Sequence, residues 1–150
     1  MANLHEIIQW CDQTLKAAEF KDYAPNGLQI EGSTEVKRIV CAVTASEDAI
    51  DAAIAQNADL LLVHHGYFWK GEPYPITGMR GNRIKKLIQN NISLVAYHLP
   101  LDAHQTLGNN VAIAEKLNLK NLEPLDLTEK HPIGNIGYLE QAVSVDEFKA

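Results

Sequence analysis

Apolar residues near the start of the chain recur at helical intervals: Leu4, Ile7, Ile8, Cys11 and Leu15 fall on one stripe. Asn3 followed by Glu6 has the spacing of a capping box, so the pattern predicts an amphipathic helix ending near Phe20. A turn at Asn26-Gly27 leads into a short extended piece, Leu28-Gln29-Ile30. Arg38 to Val43 reads as a buried strand. Thr44 and Glu47 then have capping-box spacing for a helix through Ala55, with Asn57 suited to its C-terminal cap. Leu60 to Val63 is an uninterrupted apolar run, the signature of a strand covered on both faces, and it leads directly into His64-His65-Gly66.

A second cycle follows. A helix near Asn82 to Gln89 buries Ile84, Leu87 and Ile88. The strand Ile92 to Tyr97 leads into His98-Leu99-Pro100-Leu101-Asp102, and Gly108-Asn109 opens a helix through about Leu117. Strands alternating with helices at this spacing predict βαβ crossovers and an α/β fold with a mostly parallel sheet. Asn135 to Leu139 reads as a further strand, and Ser144 with Glu147 opens a helix that the sequence leaves only three residues to complete. A helix needs several turns and a buried face. The pattern therefore predicts that the chain is the N-terminal part of a longer protein.

Composition narrows the class. The 150 residues are 46% apolar, enough for a sizeable core, and the net charge of -6 gives no overall attraction to nucleic acid or anionic lipid. No apolar signal core or membrane-length run occurs, so a cytoplasmic protein is expected. The two cysteines, Cys11 and Cys41, are too far apart for a paired-thiol metal motif, and each reads as a buried reduced thiol.

Candidate chemistry gathers at two strand ends. One supplies His64 and His65, the other His98, Asp102 and His104. In a doubly wound sheet, ligands bind beyond the carboxyl ends of the strands, and neighbouring strands would bring these groups into one crevice. Imidazole with carboxylate suits zinc, iron, manganese, cobalt or nickel. Successive strand residues face opposite ways, so His64 and His65 would serve two nearby ions, or one would be a ligand and the other a supporting group. Two ions would lower the pKa of a bound water and polarise a substrate oxygen for hydrolysis.

The plainer readings stand beside this. Strand-end histidines also satisfy backbone groups, and Asp102 after a proline-containing turn also caps a chain. Tyr97, His98, His104 and Lys70 are candidates for orientation or proton transfer, whereas His5 and His131 read as surface residues. The run Tyr67-Phe68-Trp69 could stack on a base but better suits an oligomer contact. Arg80, Arg83, Lys85 and Lys86 read first as a solvated helix face and second as a phosphate-binding cluster.

Three segments, Tyr23-Ala24-Pro25-Asn26-Gly27-Leu28-Gln29, Val63-His64-His65-Gly66 through Glu72, and His98-Leu99-Pro100-Leu101-Asp102-Ala103 through Gly108-Asn109-Asn110, resemble the GTP cyclohydrolase 1 type 2 family of dinuclear-metal, hexameric proteins. The resemblance covers the chain to about Leu125. It implies a three-layer αβα fold over residues 1–123, a second domain beginning at 124–150, and a homohexameric ring. It also implies two divalent metal ions per subunit in the complete protein. His64 and His65 would each serve a different ion, with Asp102 sharing the ion of His65. The family's later His-x-x-x-Glu segment is missing here, since Asn135 lies four residues beyond His131.

The expected function is that of a metal-dependent hydrolase-like protein acting through metal-activated water on GTP, a related nucleotide or a cyclic amide. The alternative is a non-catalytic metal-binding ring protein that binds nucleic acid, as in DNA repair, or a protein partner. A metal store is the third reading. A small-molecule substrate ranks above nucleic acid, and no membrane partner is expected.

Overall fold

The computed structural model describes residues 1–149. The chain divides into two compact units, Met1–Pro100 and Leu101–Ala150. This division by compactness falls earlier in the chain than residues 123/124, where the family resemblance sets the start of a second domain.

In the first unit, β1 (Ala2–Asn3) runs straight into α1 (Leu4–Leu15). The Asn3 side chain accepts hydrogen bonds from the amides of His5 at 2.9 Å and Glu6 at 3.4 Å, so this cap forms where the spacing sets it. The helix stops at Leu15, short of Phe20, because Lys16 turns left-handed with φ 53°. A 3-10 turn at Ala17–Glu19 follows. Next come β2 (Gly27–Ile30), β3 (Glu35–Val36), β4 (Ile39–Thr44), α2 (Glu47–Ala55), β5 (Leu60–His65), α3 (Gly78–Gln89) and β6 (Ser93–Ala96). The unit ends within α4 (Leu99–Ala103).

The central sheet has the order β2-β6-β5-β4. Strands β4, β5 and β6 are mutually parallel, and β2 joins antiparallel at the edge, giving the expected mostly parallel sheet. Gly27 opens β2 at φ 96°, a conformation that favours glycine. Leu61, Val63, Leu94 and Ala96 share a core with Ile50 and Ala53 of α2 and Ile84 and Leu87 of α3. Leu60, Val95 and Tyr97 have the opposite parity and bury the other face. There the Tyr97 hydroxyl donates to Asp12 Oδ1 of α1 at 2.7 Å.

Several local expectations change. The segment read as a buried strand from Arg38 to Val43 is the edge strand β4, with Ile39, Cys41 and Val43 exposed along one side and Val43 at 68%. Cys11 is buried as expected, but Cys41 is not, because nothing among the described residues covers that side of the edge strand. Ser46, not Thr44, caps α2, accepting from the Ala49 amide at 3.2 Å. Ile88 is exposed, since only Ile84 and Leu87 lie on the buried stripe of α3.

In the second unit, α5 (Asn109–Lys116) is followed by β7 (Lys120–Pro124) and β8 (Asn135–Tyr138), which pair antiparallel. The last helix, α6 (Val145–Lys149), has the reciprocal cap its sequence announces. The Ser144 amide donates to Glu147 Oε2 at 2.8 Å, and the Glu147 amide donates to Ser144 Oγ at 3.2 Å. No helix among the described residues is long and apolar enough to cross a membrane.

Candidate metal centre

Adjacent parallel strands end on the same edge of their sheet, and β5 and β6 are such neighbours. His64 and His65 are the last two residues of β5, and His98 lies two residues past the end of β6. Alternation sends the side chains of His64 and His65 off opposite faces, but at the sheet's edge both rings close over the strand end with centroids 4.3 Å apart. The His98 ring lies 5.1 Å from that of His64 and 5.7 Å from that of His65. One ring nitrogen from each of the three lies within 4.8 Å of the other two.

Each ring is braced through Nδ1. His64 Nδ1 lies 2.9 Å from the carbonyl oxygen of Tyr97, an acceptor, so Nδ1 carries the proton and Nε2 keeps the lone pair of the neutral ring. His65 Nδ1 lies 3.2 Å from Thr44 Oγ1, its register partner on β4. His98 Nδ1 lies 2.7 Å from Asp22 Oδ1. Asp22 is more enclosed than the ring it braces, with a side chain 3% exposed against 17% for His98.

The loop before β2 exists around that carboxylate. Asp22 Oδ1 also accepts from the amide of Tyr23 at 2.6 Å, while Oδ2 accepts from the Leu99 amide at 2.9 Å and Asn26 Nδ2 at 3.0 Å. Asn26 Oδ1 in turn accepts from the His98 amide at 2.8 Å. Burial acts to raise the Asp22 pKa, yet the donors from His98, Asn26, Leu99 and Tyr23 together hold it below the ordinary carboxyl value.

Trp69 forms one wall. Its ring meets His98 edge-on at 4.9 Å and lies 6.0 Å from His65. Phe68 places it there: a left-handed residue at φ 65° reverses the chain directly after Tyr67. Trp69 Nε1 donates to the carbonyl of Gly66 at 3.1 Å, and its amide donates to Glu72 Oε2 at 3.0 Å. Arg80 donates to the same carboxylate oxygen at 2.7 Å, and to the carbonyls of Pro73 and Pro75 at 2.5 and 2.9 Å. The aromatic run is therefore divided. Tyr67 is core, with its hydroxyl donating to Ala45 O at 2.6 Å, Phe68 packs on that core, and only Trp69 faces the histidines.

The other candidate residues have partners of their own. The Tyr97 hydroxyl is engaged with Asp12, and burial together with that carboxylate pushes its pKa well up. Lys70 has an exposed side chain and contributes its amide to Tyr23 O at 2.6 Å. In the second unit, His104 Nδ1 accepts from the amides of Thr106 and Leu107 at 3.2 and 3.0 Å, tying a turn. Asp102 belongs to that unit too, where its Oδ1 accepts from Asn109 Nδ2 at 3.0 Å. Of the basic cluster on α3, Arg80 pairs with Glu72, Arg83 with Glu47, and Lys86 with Glu47 and Asp51. Three of its four cations are thus matched by acids.

Three imidazoles with braced rings are a donor set for zinc, iron, cobalt, nickel or manganese rather than for calcium or magnesium, which prefer oxygen. The residues present fit a transition-type divalent cation. Asp22 was not among the sequence candidates. Its only signal is its place just before the Tyr23–Gln29 motif, four residues ahead of Asn26.

Comparison with known proteins bears out the family resemblance read from the sequence. Residues 2–150 match the model of the Duf34/NIF3 (NGG1p interacting factor 3) family. The chain is 56% identical over 126 residues to a "GTP cyclohydrolase 1 type 2 homolog" of Haemophilus influenzae, covering 84% of this chain and 50% of the relative. A protein of the same name from Neisseria meningitidis serogroup B is 54% identical, across 100% of this chain and 59% of its own length. Among solved structures, the structural-genomics protein ybgI, described as of unknown function, superposes with a TM-score of 0.79 at 47% identity. It covers 82% of this chain and 49% of that one. Reduced HcgD from Methanocaldococcus jannaschii gives 0.81 at 28% identity, over 99% and 58%. The chain thus spans about half the length of the curated relatives it matches.

Proposed function

The chain belongs to the Duf34/NIF3 family, and from that membership we propose that it carries the divalent-metal part of a hydrolase-like site. The observation that carries this reading is the approach of His64, His65 and His98, with a nitrogen of each within 4.8 Å of the others. His64 and His65 are the principal ligands, His98 completes the imidazole set, and Asp102 is carried over as a ligand from the family resemblance. The complete protein would hold two such ions per subunit, of iron, zinc, manganese, cobalt or nickel.

A divalent cation supplies Lewis acidity and lowers the pKa of a water bound to it. The chain's own residues do the rest. Tyr97 O, Thr44 and Asp22 hold the three rings in place, so that ring nitrogens rather than mobile side chains meet the ion. Trp69 excludes water from one side of His98 and offers an aromatic edge to a substrate ring. The names of its relatives support GTP as that substrate, and a related nucleotide or a cyclic amide would suit the same metal-assisted hydrolysis. The working assembly is a homohexameric ring in the cytoplasm.

The test has two parts. Elemental analysis of purified protein should find a transition metal, lost in His64→Ala and His65→Ala with the fold intact by circular dichroism, and reduced in Asp102→Ala. The full-length protein should then turn over GTP or a cyclic amide only when metal is present. Retention of metal by the two histidine variants would remove the site. Metal without turnover of any such substrate would reduce the protein to a metal-binding ring.

A further inference from the structure

We infer that Asp22 is a positioning residue for this site: its enclosed carboxylate fixes the His98 ring in the Nδ1–H form and so reserves Nε2 of that ring for the cation. The inference rests on the metal reading above and deepens it by naming what selects the ligating nitrogen of the third histidine.

The Asp22 carboxylate has four donors around two oxygens. Oδ2 faces the Leu99 amide and the Asn26 side-chain amide, which can only donate in this arrangement because Asn26 Oδ1 is taken by the His98 amide. Oδ1 faces the Tyr23 amide and His98 Nδ1. Every neighbour except the imidazole is thus fixed as a donor. An acceptor-only carboxylate satisfies all four, and it does so only when His98 Nδ1 carries a proton. The ring's plane is held as firmly as its tautomer. The His98 amide is anchored to Asn26, the following amide to Asp22, and Trp69 lies edge-on to the ring. With Nδ1 committed, Nε2 is the nitrogen left with a lone pair.

Asp22→Asn separates this role from simple loop bracing. An amide nitrogen placed at Oδ2 would face two donors. Placed at Oδ1, it would face the Tyr23 amide and force His98 Nδ1 to accept, which moves the proton to Nε2 and removes the lone pair a cation needs. The second placement opposes one fixed donor against two for the first, so it is favoured, and it turns His98 away from the Nδ1–H form. Asn26→Ala is the control, since it removes hydrogen bonds from the same loop and leaves the Asp22–His98 contact in place.

The readout is the long-range nitrogen–proton NMR spectrum of the imidazole rings in the full chain, taken without metal at a pH above the ordinary imidazole range. Zinc affinity is measured in parallel by calorimetry. Native protein should give the Nδ1–H pattern for His98, Asn26→Ala should keep it, and Asp22→Asn should lose it with zinc binding roughly 10- to 100-fold weaker. A native His98 found as the Nε2–H form overturns the inference whether or not any variant folds. So does Asp22→Asn with an unchanged ring pattern and unchanged affinity. If native protein binds no zinc, cobalt or manganese, the metal reading fails. The ring spectrum still decides on its own whether Asp22 sets the tautomer.

Discussion

A methyl group placed on Gly66 would meet Gln29 Oε1 at 2.1 Å and the Cβ of Ala96 at 2.8 Å. The glycine after the histidine pair is therefore required for space. The Gln29 oxygen it would strike accepts from the Tyr67 amide at 2.7 Å, and Ala96 belongs to the buried strand β6. Gln29 can swing aside only by giving up that bond, and Ala96 can move only with its strand. Gly66→Ala should therefore lower stability by about 1–3 kcal/mol, the usual cost of overpacking. It should be seen as a lower urea midpoint followed by tryptophan fluorescence. An unchanged midpoint would mean that β2 and β6 yield more easily than their packing indicates.

At the scale of elements, periodicity and capping made most of the first unit legible, and what failed depended on pairing order. Helix α1, strand β5 and helix α3 are written in local spacing. The exposure of β4 is not, because the same apolar run is buried in mid-sheet and half bare at an edge. The Asp22–His98 contact joins residues 76 positions apart, and no local pattern encodes it. The α2 cap is a near miss with a test attached. Ser46→Ala should cost about 1 kcal/mol. Thr44→Val should leave stability nearly unchanged while weakening metal binding, because Thr44 braces His65 instead. Equal stability losses from the two changes would restore the cap to Thr44. Asp59 supplies the pH test. Its Oδ2 accepts from the amides of Lys37 at 2.8 Å and Arg38 at 2.9 Å, and these bonds, led by that from Lys37, lower its pKa despite some opposing desolvation. A carboxyl held below its unfolded pKa stabilises the fold above that value, and the contribution fades as pH falls through the folded pKa. Asp59→Ala should thus be less stable than native protein at pH 7 by about 1 kcal/mol, after allowing for solvent screening. The gap should narrow once pH drops below about 4. A gap that persists unchanged at pH 2.5 would mean the effect is steric.

For the molecule as a whole, the question is whether metal makes the fold or merely joins it. The core around Leu61, Leu87 and Leu94 is fully buried without any help from the histidines, which sit half-buried at the sheet's edge. That separates this protein from small domains that unfold when their zinc is removed. Chelator should leave it folded, and added zinc should stabilise it only by mass action, by about 2.7 kcal/mol at one hundred times the dissociation constant. For a chain of this size that is a rise of roughly 5–10 °C in melting temperature. Tryptophan fluorescence isolates the unit that carries the cluster, because both tryptophans, Trp10 and Trp69, lie in Met1–Pro100. The rise should vanish in His64→Ala and His65→Ala, whose melting without metal should match the native chain's within about 1 kcal/mol, as expected for half-buried edge residues. Collapse of the native fold on chelation would reverse the order of cause, making the metal part of the core rather than a guest at its rim.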